Sequence, residues 1–219
     1  MIQNVAKNVW QICGFPPNAV NAYLVGDVLI DAGIRWDRRM FLRALDGVAL
    51  KLVALTHVHP DHQGAAKAVC ERFGCPLACH EADRAAMEGR EPMGPPTQPI
   101  KFSSNLLAGP AHPVGRTLKE GDEVGEFRVI EAPGHTMGHV VFFREVDRLV
   151  IAGDLATSMN FISLRAGLHE PPGFFSVDRA LNRDSIRKIA ELNPRTMLFG
   201  HGPPLRDGDA WQRFAASRQ

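Results

Sequence analysis

Seven residues in four places constrain this chain more than any other feature. His57, His59, Asp61 and His62 stand together in Thr-His-Val-His-Pro-Asp-His, directly after the apolar run Leu52–Leu55. His135, Asp154 and His201 come later, each just behind a glycine, in Pro133-Gly134-His135-Thr136, Ala152-Gly153-Asp154 and Phe199-Gly200-His201-Gly202. Glycine permits a tight backbone turn and keeps bulk away from the side chain beside it. A turn that presents one imidazole or carboxylate, repeated three times, calls for a fold in which distant loops converge on metal.

The first motif holds too many donors for one ion. His57 and His59 are two apart, so on extended backbone both point the same way. Pro60 then bends the chain and turns Asp61 and His62 toward the same centre from another side. Four ligands within six residues crowd a single tetrahedral ion, whereas two adjacent ions about 3.5–4 Å apart accommodate them. Each ion then needs donors from elsewhere, and His135, Asp154 and His201 supply them. Imidazoles and carboxylates with no well-placed thiolate favour Zn²⁺ and also suit Fe²⁺ or Mn²⁺. A structural zinc would need a closed shell of four ligands, but this set is oversupplied and carried on loops. His80, His112 and His169 read as ordinary core or surface residues, and His139 as a cap on its glycine-rich turn.

Two neighbouring divalent cations make a bound water acidic enough to attack near neutral pH and can polarise a carbonyl oxygen. Hydrolysis of an ester or thioester is the reaction such a centre serves most directly. Asp61 is the expected catalytic residue, ligating one ion and orienting the attacking group. No Gly-x-Ser-x-Gly segment offers a serine nucleophile instead.

Bulk properties narrow the remainder. The chain has 219 residues, 45% hydrophobic and 22% charged, and reads as one domain spanning residues 1–219. With a net charge of +1 and no Lys/Arg run, it lacks a nucleic-acid footprint and points to a small-molecule substrate. No segment approaches the ~20 apolar residues of a membrane span. Met1 to Ile12 alternates polar and apolar residues, unlike a signal peptide, so a cytoplasmic location is expected. Homo-oligomerisation is left open. Cys13, Cys70, Cys75 and Cys79 are too few and too irregular for a disulfide framework. Cys75-x3-Cys79-His80 has no second half of a zinc knuckle, so free, buried thiols are expected.

Strands are expected at Val5–Ile12, Ala22–Val25 and Val28–Asp31, the last two joined by a Gly26-Asp27 hairpin turn. A helix over Asp37–Leu45 leads into the run Leu52–Leu55. A second helix over His62–Phe73 has Asp61 at its N-cap and Gly74 at its stop, and a strand at Pro76–Cys79 follows. Further strands are expected at Phe127–Glu131, Val140–Arg144, Leu149–Ala152 and Met197–Phe199, with a helix over Asp178–Leu192 before the last of them. Residues 87–113, rich in proline and glycine, and residues 157–175 read as irregular excursions that frame a pocket. Met159, Phe161, Phe174 and Phe175 are its candidate apolar wall and Arg165 a candidate anion contact. Interleaved strands and helices in two halves, each ending in ligands, imply two sheets face to face with helices outside.

His-x-His-x-Asp-His followed by Gly-His, Gly-Asp and Gly-His-Gly resembles the metallo-β-lactamase superfamily over nearly the whole chain, from Tyr23-Leu24-Val25 through Gly200-His201-Gly202. The resemblance implies an α/β fold, a four-layer αβ/βα sandwich with the metals at the sheet edge. It also implies that His57, His59 and His135 hold one ion, Asp61, His62 and His201 the second, and that Asp154 bridges them. Asp31 matches an aspartate that braces a ligand histidine by hydrogen bonding. Within the superfamily, true β-lactamases generally lack the bridging aspartate, and flavodiiron proteins replace the second motif histidine by glutamate. Nuclease members carry long insertions that are not visible here, and quorum-quenching lactonases place a tyrosine near the metals, whereas Tyr23 occupies a strand position. Glyoxalase II shares all seven ligands, but its glutathione site depends on a C-terminal helical domain, and only Gly202–Gln219 follow the last ligand here. The expected activity is therefore that of a single-domain, glyoxalase-II-like ester or thioester hydrolase. One alternative is a mononuclear iron persulfide dioxygenase using His57, His135 and Asp154; a second is a lactonase. A non-catalytic binding module would be expected to have lost ligands, and none is lost.

Overall fold

A computed structural model describes residues 2–160 and 165–218. The chain begins as a hairpin, β1 (Ile2–Ala6) and β2 (Val9–Cys13), where a single strand over Val5–Ile12 is expected from sequence. Lys7-Asn8 makes the turn, with Asn8 at φ 57°, a left-handed conformation that asparagine tolerates better than most residues. Then β3 (Asn21–Val25) and β4 (Val28–Ile30) pair across Gly26-Asp27, as the turn signal implies. After α1 (Arg38–Ala44), β5 (Leu52–Ala54) lies parallel to β4. It leads through the histidine motif to α2 (Ala66–Phe73), β6 (Leu77–His80) and α3 (Glu81–Met87).

Helix α2 starts later than expected. Residues 61–65 are tied back onto the segment after β4, with Ala32 N–H donating to His62 O at 2.7 Å, Gly64 N–H to Gly33 O at 2.7 Å and Ala65 N–H to Ala32 O at 3.0 Å. Those bonds hold the loop away from helical geometry, so Ala65 rather than Asp61 precedes the helix. Its C-terminus is as read, with Gly74 left-handed at φ 63°.

Residues 87–113 are not wholly irregular. They contain α4 (Gln98–Leu107), capped by Thr97, whose hydroxyl oxygen accepts from Ile100 N–H at 3.4 Å. Pro99 lies in the first turn, where its missing N–H would have had no helical partner. The prolines around it hide a helix that Thr97 announces. The strand β7 (Arg116–Leu118) follows, then β8 (Glu123–Val124), β9 (Phe127–Glu131), β10 (Val140–Arg144) and β11 (Leu149–Ile151). Residues 157–175 likewise contain an antiparallel pair, β12 (Thr157–Met159) and β13 (Ala166–His169), and a 3₁₀ turn at Gly173–Phe175. The chain closes with α5 (Arg179–Glu191), β14 (Thr196–Leu198) and α6 (Gly208–Ala216). Asp178 caps α5, its carboxylate accepting from Leu181 N–H at 3.0 Å.

One sheet runs β1-β2-β3-β4-β5-β6-β7 and a second β14-β11-β10-β9-β8. Side chains alternate across each strand, and in β3, β4, β5, β10 and β11 both faces are buried. Val28, Ile30, Leu52 and Ala54 join Val129, Phe142 and Ile151 in a layer between the sheets. Leu29 and Val53, one residue out of phase, pack outward with Phe41 of α1 and Val69 of α2. Val141 and Val150 face Ile186 and Ile189 of α5 and Trp211 and Phe214 of α6 on the far side. Helix, sheet, sheet, helix is the αβ/βα order read from the sequence. Burial on both faces explains why these strands read as short apolar runs without alternation.

Cys13, Cys70, Cys75 and Cys79 are buried and not disulfide-bonded. Among the described residues no helix is long and apolar enough to cross a membrane.

Candidate metal centre

The parallel arrangement of β4, β5 and β6 places three chain segments at the same end of one sheet. Asp31 follows β4, the histidine motif follows β5, and α3 follows β6. His135 lies between β9 and β10, while Asp154 and His201 leave the ends of β11 and β14, which are parallel in the other sheet. The loops thus meet along one edge of the sandwich, where donors far apart in sequence come within contact distance.

His59 Nδ1 and His135 Nε2 are 3.0 Å apart. His62 Nε2 lies 3.4 Å from Asp154 Oδ1, and the other oxygen of Asp154 is 3.6 Å from His135 Nε2 and 3.2 Å from His201 Nε2. His201 Nε2 is also 3.3 Å from Asp61 Oδ2. Three groups each gather their ligand atoms within 4.8 Å: His57, His59 and His135; His57, His62 and Asp154; Asp61, His62 and His201. All seven expected donors are therefore in one place, with Asp154 between two sets of three.

The outward nitrogens are tethered, and this aims the inward ones. His62 Nδ1 is 2.9 Å from Asp31 Oδ2, His135 Nδ1 is 3.1 Å from Ser176 Oγ, and His57 Nδ1 is 3.0 Å from Thr56 Oγ1. His201 Nδ1 contacts the carbonyl of Ala19. Asp31 also accepts from the Thr56 backbone N–H at 2.8 Å and from its hydroxyl at 2.8 Å, so one carboxylate braces the start of the motif and its last histidine.

The residues fit a metal. His57 Nε2, His62 Nε2 and Asp154 Oδ1 are buried without a hydrogen-bond partner, although buried polar atoms rarely go unpaired. All three point into the same space and are ordinary ligand atoms for a divalent cation. Burial, reinforced by the neighbouring imidazoles, holds His57 and His135 well below the usual histidine range, so they are neutral donors. Burial pulls His62 and His201 the same way, but Asp154 with Asp31 or Asp61 outweighs it and brings His201 up to about 10. Those histidines in turn keep Asp154 and Asp61 ionised against the effect of burial. An incoming cation would take over the charge partner that the carboxylates now find in protonated imidazole.

Some contributing residues were not read from the sequence. Asp83 on α3 is buried; one oxygen accepts from Val58 N–H at 3.0 Å and Thr136 Oγ1–H at 2.7 Å, the other from Gly138 N–H at 3.0 Å. It fastens the histidine motif to the loop carrying His135. The signal available was His80, which caps α3, followed by acidic residues in the first turn. His139 does more than cap a turn: its Nε2 accepts from Asp154 N–H at 3.1 Å, which demands a neutral ring. Burial brings His139 down to about 3, consistent with that role.

Asp83→Ala is expected to lower unfolding stability by about 2–4 kcal/mol, because two buried N–H groups and a hydroxyl lose their acceptor. Urea unfolding of the variant and of Asp83→Asn, which retains one acceptor oxygen, measures the cost.

A cavity of about 190 Å³ opens onto the donors. Phe175 lines it, as expected, together with Asp61, His59, His135, Asp154 and His201. Met159, Arg165 and Phe174 do not line it: Met159 is buried in β12, Arg165 is exposed, and Phe174 is half-exposed outside. Phe161 lies outside the described residues. The wall comes instead from α4, through Ile100, Ser103 and Leu107, and from Pro171 and Pro172. Thr97 Oγ1–H donates to Phe174 O at 3.0 Å and holds these two walls together.

Residues 15–201 match the Metallo-beta-lactamase superfamily. The chain is 32% identical over 202 residues to "Probable metallo-hydrolase YflN" of Bacillus subtilis, covering 81% of this chain and 76% of that one. It is 26% identical over 176 residues to a "Hydroxyacylglutathione hydrolase" of Bdellovibrio bacteriovorus, covering 78% of this chain but only 56% of the relative. Among solved structures, TTHA1623 in a di-iron-bound form superposes with a TM-score of 0.67 at 29% identity, covering 91% of this chain and 95% of the other.

Proposed function

The chain belongs to the metallo-beta-lactamase superfamily, and from that premise we propose that it is a metal-dependent hydrolase of a carboxylic ester or thioester. Two divalent cations, Zn²⁺ before Fe²⁺ or Mn²⁺, are its cofactors. His57, His59 and His135 would hold one, Asp61, His62 and His201 the other, and Asp154 would lie between. The observation that carries this reading is the convergence of seven donors, among which His57 Nε2, His62 Nε2 and Asp154 Oδ1 are buried without a hydrogen-bond partner while the outward nitrogens of His57, His62, His135 and His201 are tethered.

Bound cations supply Lewis acidity, which activates water and polarises a carbonyl oxygen. The chain's own groups do the remainder. Asp61 sits on the cavity wall with its carboxylate ionised, and it orients the attacking water by accepting its hydrogen bond. Held ionised by His201 and His62, it suits orientation better than proton storage. Asp31 and Ser176 keep His62 and His135 from rotating, so the donors wait in position. In the reaction, water oxygen bonds to the acyl carbon, the carbon–sulfur or carbon–oxygen bond breaks, and the departing thiol or alcohol takes the proton.

One preparation tests the proposal by elemental analysis, thioester and ester hydrolysis, and oxygen uptake on a persulfide. Two divalent cations per chain and hydrolysis without oxygen consumption are expected. A single iron with oxygen uptake and no hydrolysis would replace this reading with that of a sulfur dioxygenase.

A further inference from the structure

The composition of the cavity wall says which substrate fits it. Apart from the metal-facing donors, the described lining is Pro60, Ile100, Leu107, Pro171, Pro172 and Phe175, with Ser103 the one neutral polar side chain. The Ser103 hydroxyl donates to the carbonyl of Ile100 at 3.0 Å, so its proton is engaged. No lysine or arginine is among the described lining residues. On α4 the residues at 100, 103 and 107 share one helix face, whereas Lys101 is turned away and exposed. Arg179, Arg183 and Arg218, each 3.1–3.3 Å from the half-buried carboxylate of Glu170 next to Pro171, are not among the described lining residues.

We propose that the site takes a substrate bearing an uncharged, apolar acyl chain and rejects a glutathione-type carrier; this rests on the hydrolase reading above. Glutathione brings two carboxylates and an ammonium group, and desolvating them against proline, isoleucine and leucine without ionic partners is unfavourable. An aliphatic chain gains from the same wall. The chemistry is unchanged: the acyl carbon gains the water oxygen, the bond to the leaving group breaks, and that group departs with the proton.

The test uses the metal-loaded protein and a series of thioesters with one small uncharged leaving group and acyl chains from acetyl to octanoyl. A hydroxyacyl thioester of glutathione is measured beside them. The expected result is a rise in kcat/KM of about fourfold per methylene until the cavity is full, with the glutathione thioester below the acetyl compound. Leu107→Arg is expected to flatten the slope, whereas Lys101→Ala, outside the cavity, leaves it intact. A flat series, or a preference for the glutathione thioester, would overturn the proposal while leaving the hydrolase reading standing. Calorimetric binding of the corresponding N-methyl amides separates the two ideas. Affinity that climbs with chain length in a protein that hydrolyses nothing would keep the apolar site and end the hydrolase reading; affinity independent of length would end the apolar site.

Discussion

Asp154→Ala is expected to empty the centre and reduce kcat/KM by at least about 100-fold while leaving the fold intact. The carboxylate is within 3.6 Å of ring nitrogens from His62, His135 and His201. Its two oxygens face histidines of both sets of three. On the proposed two-cation reading, removing it would take a ligand from each cation at once, and several kcal/mol of transition-state stabilisation would go with them, about 1.4 kcal/mol being equivalent to each tenfold in rate. The fold has less to lose. His62 keeps Asp31 at 2.9 Å, and His201 keeps Asp61 at 3.3 Å, so neither imidazole is stranded. Elemental analysis, kinetics and urea unfolding on one sample read all three quantities. Asp154→Asn, equal in shape but neutral, distinguishes lost charge from lost volume and should fall between. Activity close to wild type in Asp154→Ala would mean that the chemistry takes place without this centre.

Legibility followed the physical origin of each feature. The four motif donors stand within six residues, and the other three each follow a glycine, so composition alone marks them. That Gly200 and Gly134 leave room is visible in the fold: a Cβ on Gly134 would lie 2.2 Å from the backbone nitrogen of Asn182 at the start of α5. The two sheets were readable because strands buried on both faces must be short apolar runs between turn residues. What stayed hidden depends on contacts between elements. Asp83 is one acidic residue among several in its helix, and only the meeting of α3 with the loops after β5 and β9 makes it a clamp. Ile100 and Leu107 were obscured because prolines at 92, 95, 96 and 99 suggest disorder of pattern, when the last of them is compatible with a helix's first turn. Of the aromatics in residues 157–175, Phe175 lines the cavity, whereas Phe174 is half-exposed and does not, and Pro171 and Pro172, which carry no such signal, complete this wall. The start of α2 departs from the sequence expectation for a related reason. Asp61 has the chemistry of an N-cap, but the chain needs its carboxylate toward His201.

Gly200→Ala is expected to disrupt metal binding without a change in any donor. A Cβ there would stand 2.3 Å from Asp154 Oδ1 and 2.5 Å from His62 Cε1, against about 3.5 Å for ordinary contact. Neither neighbour can easily retreat. The Asp154 backbone is held by His139 at 3.1 Å, and the His62 ring by Asp31 at 2.9 Å. Gly200 is itself fixed, its N–H donating to Gly153 O at 2.9 Å and its carbonyl accepting from Asn21 N–H at 2.8 Å. The methyl group therefore separates the two ligands by displacing one of them, at a cost of about 1–3 kcal/mol in folding stability from overpacking. Metal content should fall below one ion per chain, and kcat/KM should drop by at least about 100-fold, comparable to loss of a ligand. Gly121→Ala is the matching control: φ is 84° there and nothing lies within 4 Å of the added carbon, so it strains only the backbone. That variant should lose a little stability and no metal. Full metal content in Gly200→Ala would show that Asp154 and His62 do not need the closeness seen here, and their assignment to one centre would fail with it.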